Sequence, residues 1–127
     1  MSKAPDRFRL KRVYEAPAPE DGLRVLVDRL WPRGLSKAKA HVDLWLKEIA
    51  PSDALRRELH ADLRAAAARW GEFCDAYIGE LEAEPARTAV RELREKAAQG
   101  PLTLLFAAKD ETHNNAVALK AWLEKRL

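Results

Sequence analysis

Apolar positions alternate near the start of the chain. Phe8, Leu10 and Tyr14 fall in one phase with Arg12, so Arg7–Tyr14 predicts a β-strand whose Arg12 points to the apolar side. Ala16–Gly22 follows as a loop, because Pro17, Pro19 and Gly22 interrupt any paired strand. Leu23–Leu30 then predicts a second strand, and the succession Val25, Leu26, Val27 implies burial on both faces. Leu102–Ala108, directly after the helix-stopping Gly100-Pro101, predicts a third strand of the same doubly buried kind.

The pattern between the second and third strands is helical. Ser52 suits an N-cap after Pro51. From there Leu55, Leu59, Leu63, Ala66, Trp70, Phe73, Tyr77 and Leu81 recur every three or four residues as one stripe, with a break expected at Gly71 or near His60. Trp70 and Phe73 are therefore expected to be largely buried. Pro85 opens a further helix with Ala86, Val90, Leu93 and Ala97 inward. A last helix, capped near Thr112, buries Ala116, Leu119 and Leu123. The order predicts an α/β fold, with a small, mostly parallel sheet of at least three strands flanked by helices. Residues 31–101 leave room for a helical crossover, so strands two and three are expected to be parallel. The short link 15–22 favours an antiparallel pairing of strands one and two if they are neighbours.

Composition narrows the class. The 127 residues, 47% apolar and 34% charged, suit one α/β domain over residues 1–127 with a well-solvated surface. The start lacks the apolar region of a signal peptide, and the longest strongly apolar run, Leu102–Ala108, is far too short to span a membrane. A single cysteine, Cys74, leaves no internal disulfide, so a cytoplasmic location is expected. Cys74 sits among apolar helical residues and is expected to act as a small hydrophobe. The histidines His41, His60 and His113 lack metal-type spacing, and the five glycines form no phosphate loop or dinucleotide motif. Neither a metal nor a cofactor is expected.

The charge is uneven. The net +3 arises at the front, since residues 1–50 carry eleven basic and seven acidic side chains. A nucleic-acid partner would use Arg7, Arg9, Lys11, Arg29 and Arg33 as a phosphate track. The same cations on an edge strand deter edge-to-edge pairing, and at +3 that reading is favoured.

Chemistry concentrates at two strand exits. Asp28-Arg29-Leu30-Trp31-Pro32-Arg33-Gly34 follows one apolar strand, and Lys109-Asp110-Glu111-Thr112-His113-Asn114-Asn115 follows another and enters a helix. Ligands of open parallel sheets bind beyond the carboxyl ends of the strands, often against a helix N-terminus that favours anions. If the strands are parallel, both segments meet at one rim. Arg12, Arg29, Trp31, Arg33, Lys109 and Asn114 are then candidate ligand-binding residues for an anionic small molecule, and Asp28, Asp110 and His113 are candidate acid–base groups. Each has a plainer alternative: Asp28 anchoring a loop, Trp31 and Trp45 plugging the core, Asp110 or Thr112 capping the last helix, and His113 simply exposed. Besides an enzyme or binding protein, a nucleic-acid accessory protein and an interaction module remain open.

The strings Gly22-Leu-Arg-Val-Leu-Val-Asp-Arg-Leu-Trp-Pro-Arg-Gly34, Trp45-Leu-Lys-Glu-Ile-Ala-Pro-Ser52 and Leu104-Leu-Phe-Ala-Ala-Lys-Asp110, with His113-Asn114, resemble the YeaO-like family of bacterial proteins over about Lys11–Leu123. The resemblance implies a small cytoplasmic bacterial protein of a family whose function is unknown.

Overall fold

The computed structural model describes residues 8–60 and 68–125. Four parallel strands form one sheet: β1 (Phe8–Arg12), β2 (Leu23–Leu26), β3 (Leu44–Trp45) and β4 (Leu102–Phe106), in the order β1-β4-β2-β3. The helices are α1 (Lys37–Ala40), α2 (Asp53–His60), α3 (Trp70–Leu81), α4 (Ala86–Ala97) and α5 (Asn115–Lys125). This is the α/β class expected from the sequence. Leu63 and Ala66 of the predicted stripe, and Arg7 of the basic stretch, lie outside the described residues.

Strand alternation sorts the sheet into two faces. On one, Phe8, Val25, Leu102, Leu104 and Phe106 form the main core with residues of α3, α4 and α5. On the other, Leu26 and Leu105 meet Val13 and Ala40, and Trp31 and Trp45 pack against them. The second face is thus covered mainly by the 28–46 segment and the short α1. Burial on both sides explains why β4 reads as an apolar run interrupted only by Thr103, with all five of its residues buried.

Strands one and two are not neighbours, because β4 lies between them. Their short link makes a parallel return instead. Residues 13–22 can reach about 33 Å when extended, enough to run back along a five-residue strand. The return ends in a 3-10 turn at Pro19–Asp21 and at Gly22, whose φ is +63°. A Cβ at Gly22 would lie 2.2 Å from the Pro101 carbonyl oxygen. Glycine is required there because Leu23 N–H donates to that same carbonyl at 3.0 Å, starting β2 beside β4.

A polar cluster closes this end of the sheet. Arg24, on the smaller-core face of β2, donates through Nη1 to Asp21 Oδ2 at 2.6 Å, and through Nε and Nη2 to the His41 and Ala40 carbonyls at 2.9 and 3.1 Å. Lys11 Nζ and Ala18 N–H also donate to the Asp21 carboxylate, at 3.1 and 3.0 Å. Thr103, buried mid-strand, donates to Asp21 O at 2.8 Å. Burial pushes the Asp21 carboxyl upward, but the Ala18 N–H and the charges of Lys11 and Arg24 outweigh it and hold the group below its ordinary value.

The helices follow the periodicity, with local corrections. Ser52 Oγ accepts Leu55 N–H at 3.2 Å, so it caps α2 as expected. Phe73 and Tyr77 are buried, whereas Trp70, at the start of α3, is only half-buried. Trp70 stacks on Phe73 and meets the His113 ring edge-on, so one side of the indole faces outward. Cys74 is half-buried against the main core. The last helix is capped by Asn114, two residues beyond Thr112: Asn114 Oδ1 accepts Val117 N–H at 2.9 Å. His113 therefore precedes the helix instead of sitting in its first turn. β3 is two residues long and had no readable alternation; pairing with β2 defines it.

Two stability tests follow from this packing. Phe73 is 6% exposed, and Phe73→Ala is expected to cost about 3–5 kcal/mol in urea unfolding. Asp21→Ala strands the buried Arg24 guanidinium and is expected to cost about 3–5 kcal/mol. Because the Asp21 pKa is lowered on folding, its contribution is present above the ordinary value of 3.8 and is lost as pH falls toward the folded value. The acid limb of the wild-type stability–pH curve should therefore be steeper than that of the Asp21→Asn variant.

Candidate functional site

Asp28 stands two residues beyond β2 and ties the two polar segments together. Its Oδ2 accepts Ala107 N–H, the first residue after β4, at 2.9 Å. Its Oδ1 accepts Asn115 Nδ2 at 3.1 Å, and the same amide group donates to Val27 O at 3.0 Å. The parallel strands thus deliver the 28–33 and 109–115 segments to one rim, side by side.

The walls of the rim are built by backbone-directed side chains. Trp45 Nε1 donates to Asp28 O at 2.7 Å, and Trp31 Nε1 donates to Leu35 O at 2.6 Å. The two indoles meet edge-to-face with centroids 5.5 Å apart. Gly34, at φ +73°, lets the chain turn back within Trp31–Leu35. Tyr14 donates its hydroxyl to Arg33 O at 2.9 Å, holding this turn against the end of β1. Arg29 donates Nε and Nη2 to the Pro51 and Ala50 carbonyls at 3.3 and 3.1 Å, fixing the approach to α2. Arg12 donates to the Ala108 and Ala107 carbonyls, at 3.0 Å each, and lays its guanidinium 5.1 Å from the Tyr14 ring centre.

These walls enclose a cavity of about 360 Å³. Of the residues selected from sequence, Asp28, Arg29, Trp31, Arg33 and Lys109 line it. Arg33 and Lys109 are exposed, and their charged groups have no hydrogen bond or ion pair among the described residues. Tyr14, Arg56 and Asn115 also line it and were not singled out. Arg56 comes from α2, far away in sequence. Asn115 had one signal, as the second of two amides opening an apolar helix.

The remaining candidates stand apart. Arg12 lies behind Tyr14, and Asp110, His113 and Asn114 do not line the cavity. Asp110 Oδ1 accepts the N–H groups of Thr112 and His113 at 2.9 and 3.0 Å and the Thr112 hydroxyl at 2.9 Å. Those bonds, from Thr112 first and then His113, bring its carboxyl down to about 2. Asn114 Nδ2 donates to Asp110 O at 2.9 Å, so the segment is a self-bonded turn leading into α5. His113 Nδ1 lies 3.4 Å from Asp110 Oδ2, with its ring against Trp70. Among the described residues no group of three or more His, Cys, Asp or Glu is placed to hold a metal, and no helix is long and apolar enough to cross a membrane.

Comparison with known proteins adds kinship. The family described as the inactive DUF488-N3 subclade matches residues 7–127. The uncharacterized protein YeaO of Escherichia coli is 42% identical over 113 residues, covering 89% of this chain and 93% of its own length. The uncharacterized proteins Mb3100c of Mycobacterium bovis and Rv3073c of Mycobacterium tuberculosis are each 37% identical over 120 residues, covering 94% of this chain and 96% of theirs. No solved structure matches the chain significantly.

The Asp28 tie predicts a stability cost with no ligand involved. Asp28→Ala removes the acceptor for Ala107 N–H and Asn115 Nδ2, and each stranded donor is expected to cost about 1–3 kcal/mol in chemical unfolding. Asp110 should show a carboxyl resonance titrating at about 2 instead of 3.8 in an NMR pH series.

Proposed function

The chain belongs to the YeaO-like proteins, within the family described as the inactive DUF488-N3 subclade, and from that premise we propose that it binds an anionic small molecule, phosphate- or carboxylate-bearing, without transforming it. One observation carries the reading. The cavity is lined by Arg29, Arg33, Arg56 and Lys109 against a single carboxylate, Asp28, which already accepts two hydrogen bonds. A surplus of cations in a concave site attracts an anion and gives it charge-assisted hydrogen bonds.

The arrangement favours binding over turnover. An acid–base catalyst must reach the reacting group, and Asp110 and His113 lie outside the cavity lining. Asp28 holds β2, β4 and α5 in place, so its carboxylate serves the scaffold. The word "inactive" in the family description accords with this. A small ligand is also favoured over nucleic acid. Lys11 is spent on Asp21, Arg12 on two carbonyls, and Arg9 donates to Glu20 O at 3.0 Å, so among the described residues the front of the chain offers no continuous phosphate track.

A melting-temperature screen of the wild type, Arg33→Ala and Lys109→Ala tests this. Both variants are expected to fold with melting temperatures close to wild type, since exposed unpaired charges contribute little to stability. Small phosphates and carboxylates should raise the wild-type melting temperature, and both variants should lose most of that rise. Stabilisation by oligonucleotides alone, fading steeply with salt, would replace this reading with the nucleic-acid one. No response to any anion would leave an interaction module.

A further inference from the structure

We infer that the ligand of this cavity is a phosphate monoester carrying a flat aromatic ring, a mononucleotide in chemical class; the inference rests on the anion-binding reading above. Two features beyond the cations point to it.

The first is charge balance. Arg29, Arg33, Arg56 and Lys109 against Asp28 leave three positive charges in the lining, or two once the Arg56–Asp53 pair is counted. A monocarboxylate compensates one of them. A phosphate monoester, carrying about −1.5 to −2 at neutral pH with three acceptor oxygens, compensates most of the excess and reaches several donors at once. The donors suit it. Arg56 reaches the lining from α2, and its Nη2 is held only loosely, by Asp53 at 3.6 Å. Arg29 is held rigid by two carbonyls through Nε and Nη2. One guanidinium held only loosely by a carboxylate and another already fixed in place are donors suited to phosphate oxygens.

The second is the opposite wall. Tyr14 is 42% exposed and Leu30 59%, the two large apolar side chains most open to solvent among the described residues, and both line this cavity with Trp31, Pro32 and Pro51. Tyr14 is immobilised at both ends of its side chain: its hydroxyl is bonded to Arg33 O, and the Arg12 guanidinium lies over the ring. A cation on one face of an exposed ring leaves the other as a stacking platform, the device by which proteins hold nucleobases without reading their edges. Arg12 thereby contributes by holding Tyr14. The volume, about 360 Å³, lies at the low end of small-molecule sites and accommodates one ring system with its phosphate.

Isothermal titration tests this with a 5′-mononucleotide, ribose 5-phosphate, inorganic phosphate and an unphosphorylated nucleoside, against the wild type, Tyr14→Leu and Arg56→Met. Circular dichroism confirms that each variant is folded. The wild type is expected to bind the mononucleotide at least tenfold more tightly than ribose 5-phosphate, and the nucleoside more weakly than both. Tyr14→Leu should erase the tenfold preference while retaining ribose 5-phosphate binding. Arg56→Met should weaken every phosphate at least tenfold, and Arg56→Lys should recover part of the loss. Equal affinity of the wild type for mononucleotide and ribose 5-phosphate overturns the aromatic inference and leaves the anion site standing. Tight binding of the bare nucleoside overturns the charge argument. No binding of any phosphate overturns both this inference and the reading beneath it.

Discussion

The carboxylate of Asp28 is the constraint on which the rim depends. Parallel strands bring their exits to one edge, but nothing in a β-ladder fixes the loops beyond it. Asp28 does so by accepting the first N–H after β4 and the amide of the residue that opens α5, while its own carbonyl accepts Trp45 Nε1. One residue thereby sets the positions of three strand exits and one helix. Arg33 and Lys109 can stay unpaired among the described residues because the backbone that carries them is held by others. An acidic side chain inside a cationic cavity is thus part of the frame, and the charges it leaves over define the chemistry of the opening.

The opposite end of the sheet uses ions differently. Asp21, Arg24 and Lys11 are mutually satisfied, with the remaining Arg24 donors aimed at the carbonyls that end α1. A buried pair of this kind contributes little net stability compared with an apolar alternative, yet losing one member is costly. It fixes where β2 begins relative to β1 and where the 28–46 segment crosses the smaller core. The basic front of the sequence therefore serves largely to hold the sheet.

Much of this was legible in the residues. Apolar runs at Leu23–Leu30 and Leu102–Ala108 marked the two central strands, and polar crowding after each marked the rim. The strands proved shorter than the runs: Val27 N–H still donates to Leu105 O, but Ala107 N–H donates to the Asp28 carboxylate instead of a neighbouring strand. Sheet order was not legible: ten residues between β1 and β2 fit an antiparallel neighbour or a longer parallel return, and only the later β4 decides between them. The division of the rim was hidden too. Asp110 and His113 are as polar and as near the strand exit as Lys109, but Asp110 closes a turn with its own neighbours, and neither residue lines the cavity. Arg56 reaches the site from α2, and no spacing in the chain announces a contact between elements so far apart.

The position of β4 also bears on how the molecule comes into being. It pairs with β1 on one side and β2 on the other, and those two never touch. Until Leu102–Phe106 has been synthesised, the only ladder open among the described residues is the two-residue pairing of β2 with β3. The apolar faces of β1 and β2 then wait without their central partner while most of the chain emerges. Contacts that join Phe8–Arg12 to Leu102–Phe106 carry a large loop-closure entropy, which slows folding of the finished chain. In the interval Lys11, Arg9 and Arg12 give the waiting first strand a charged edge that resists pairing with other chains.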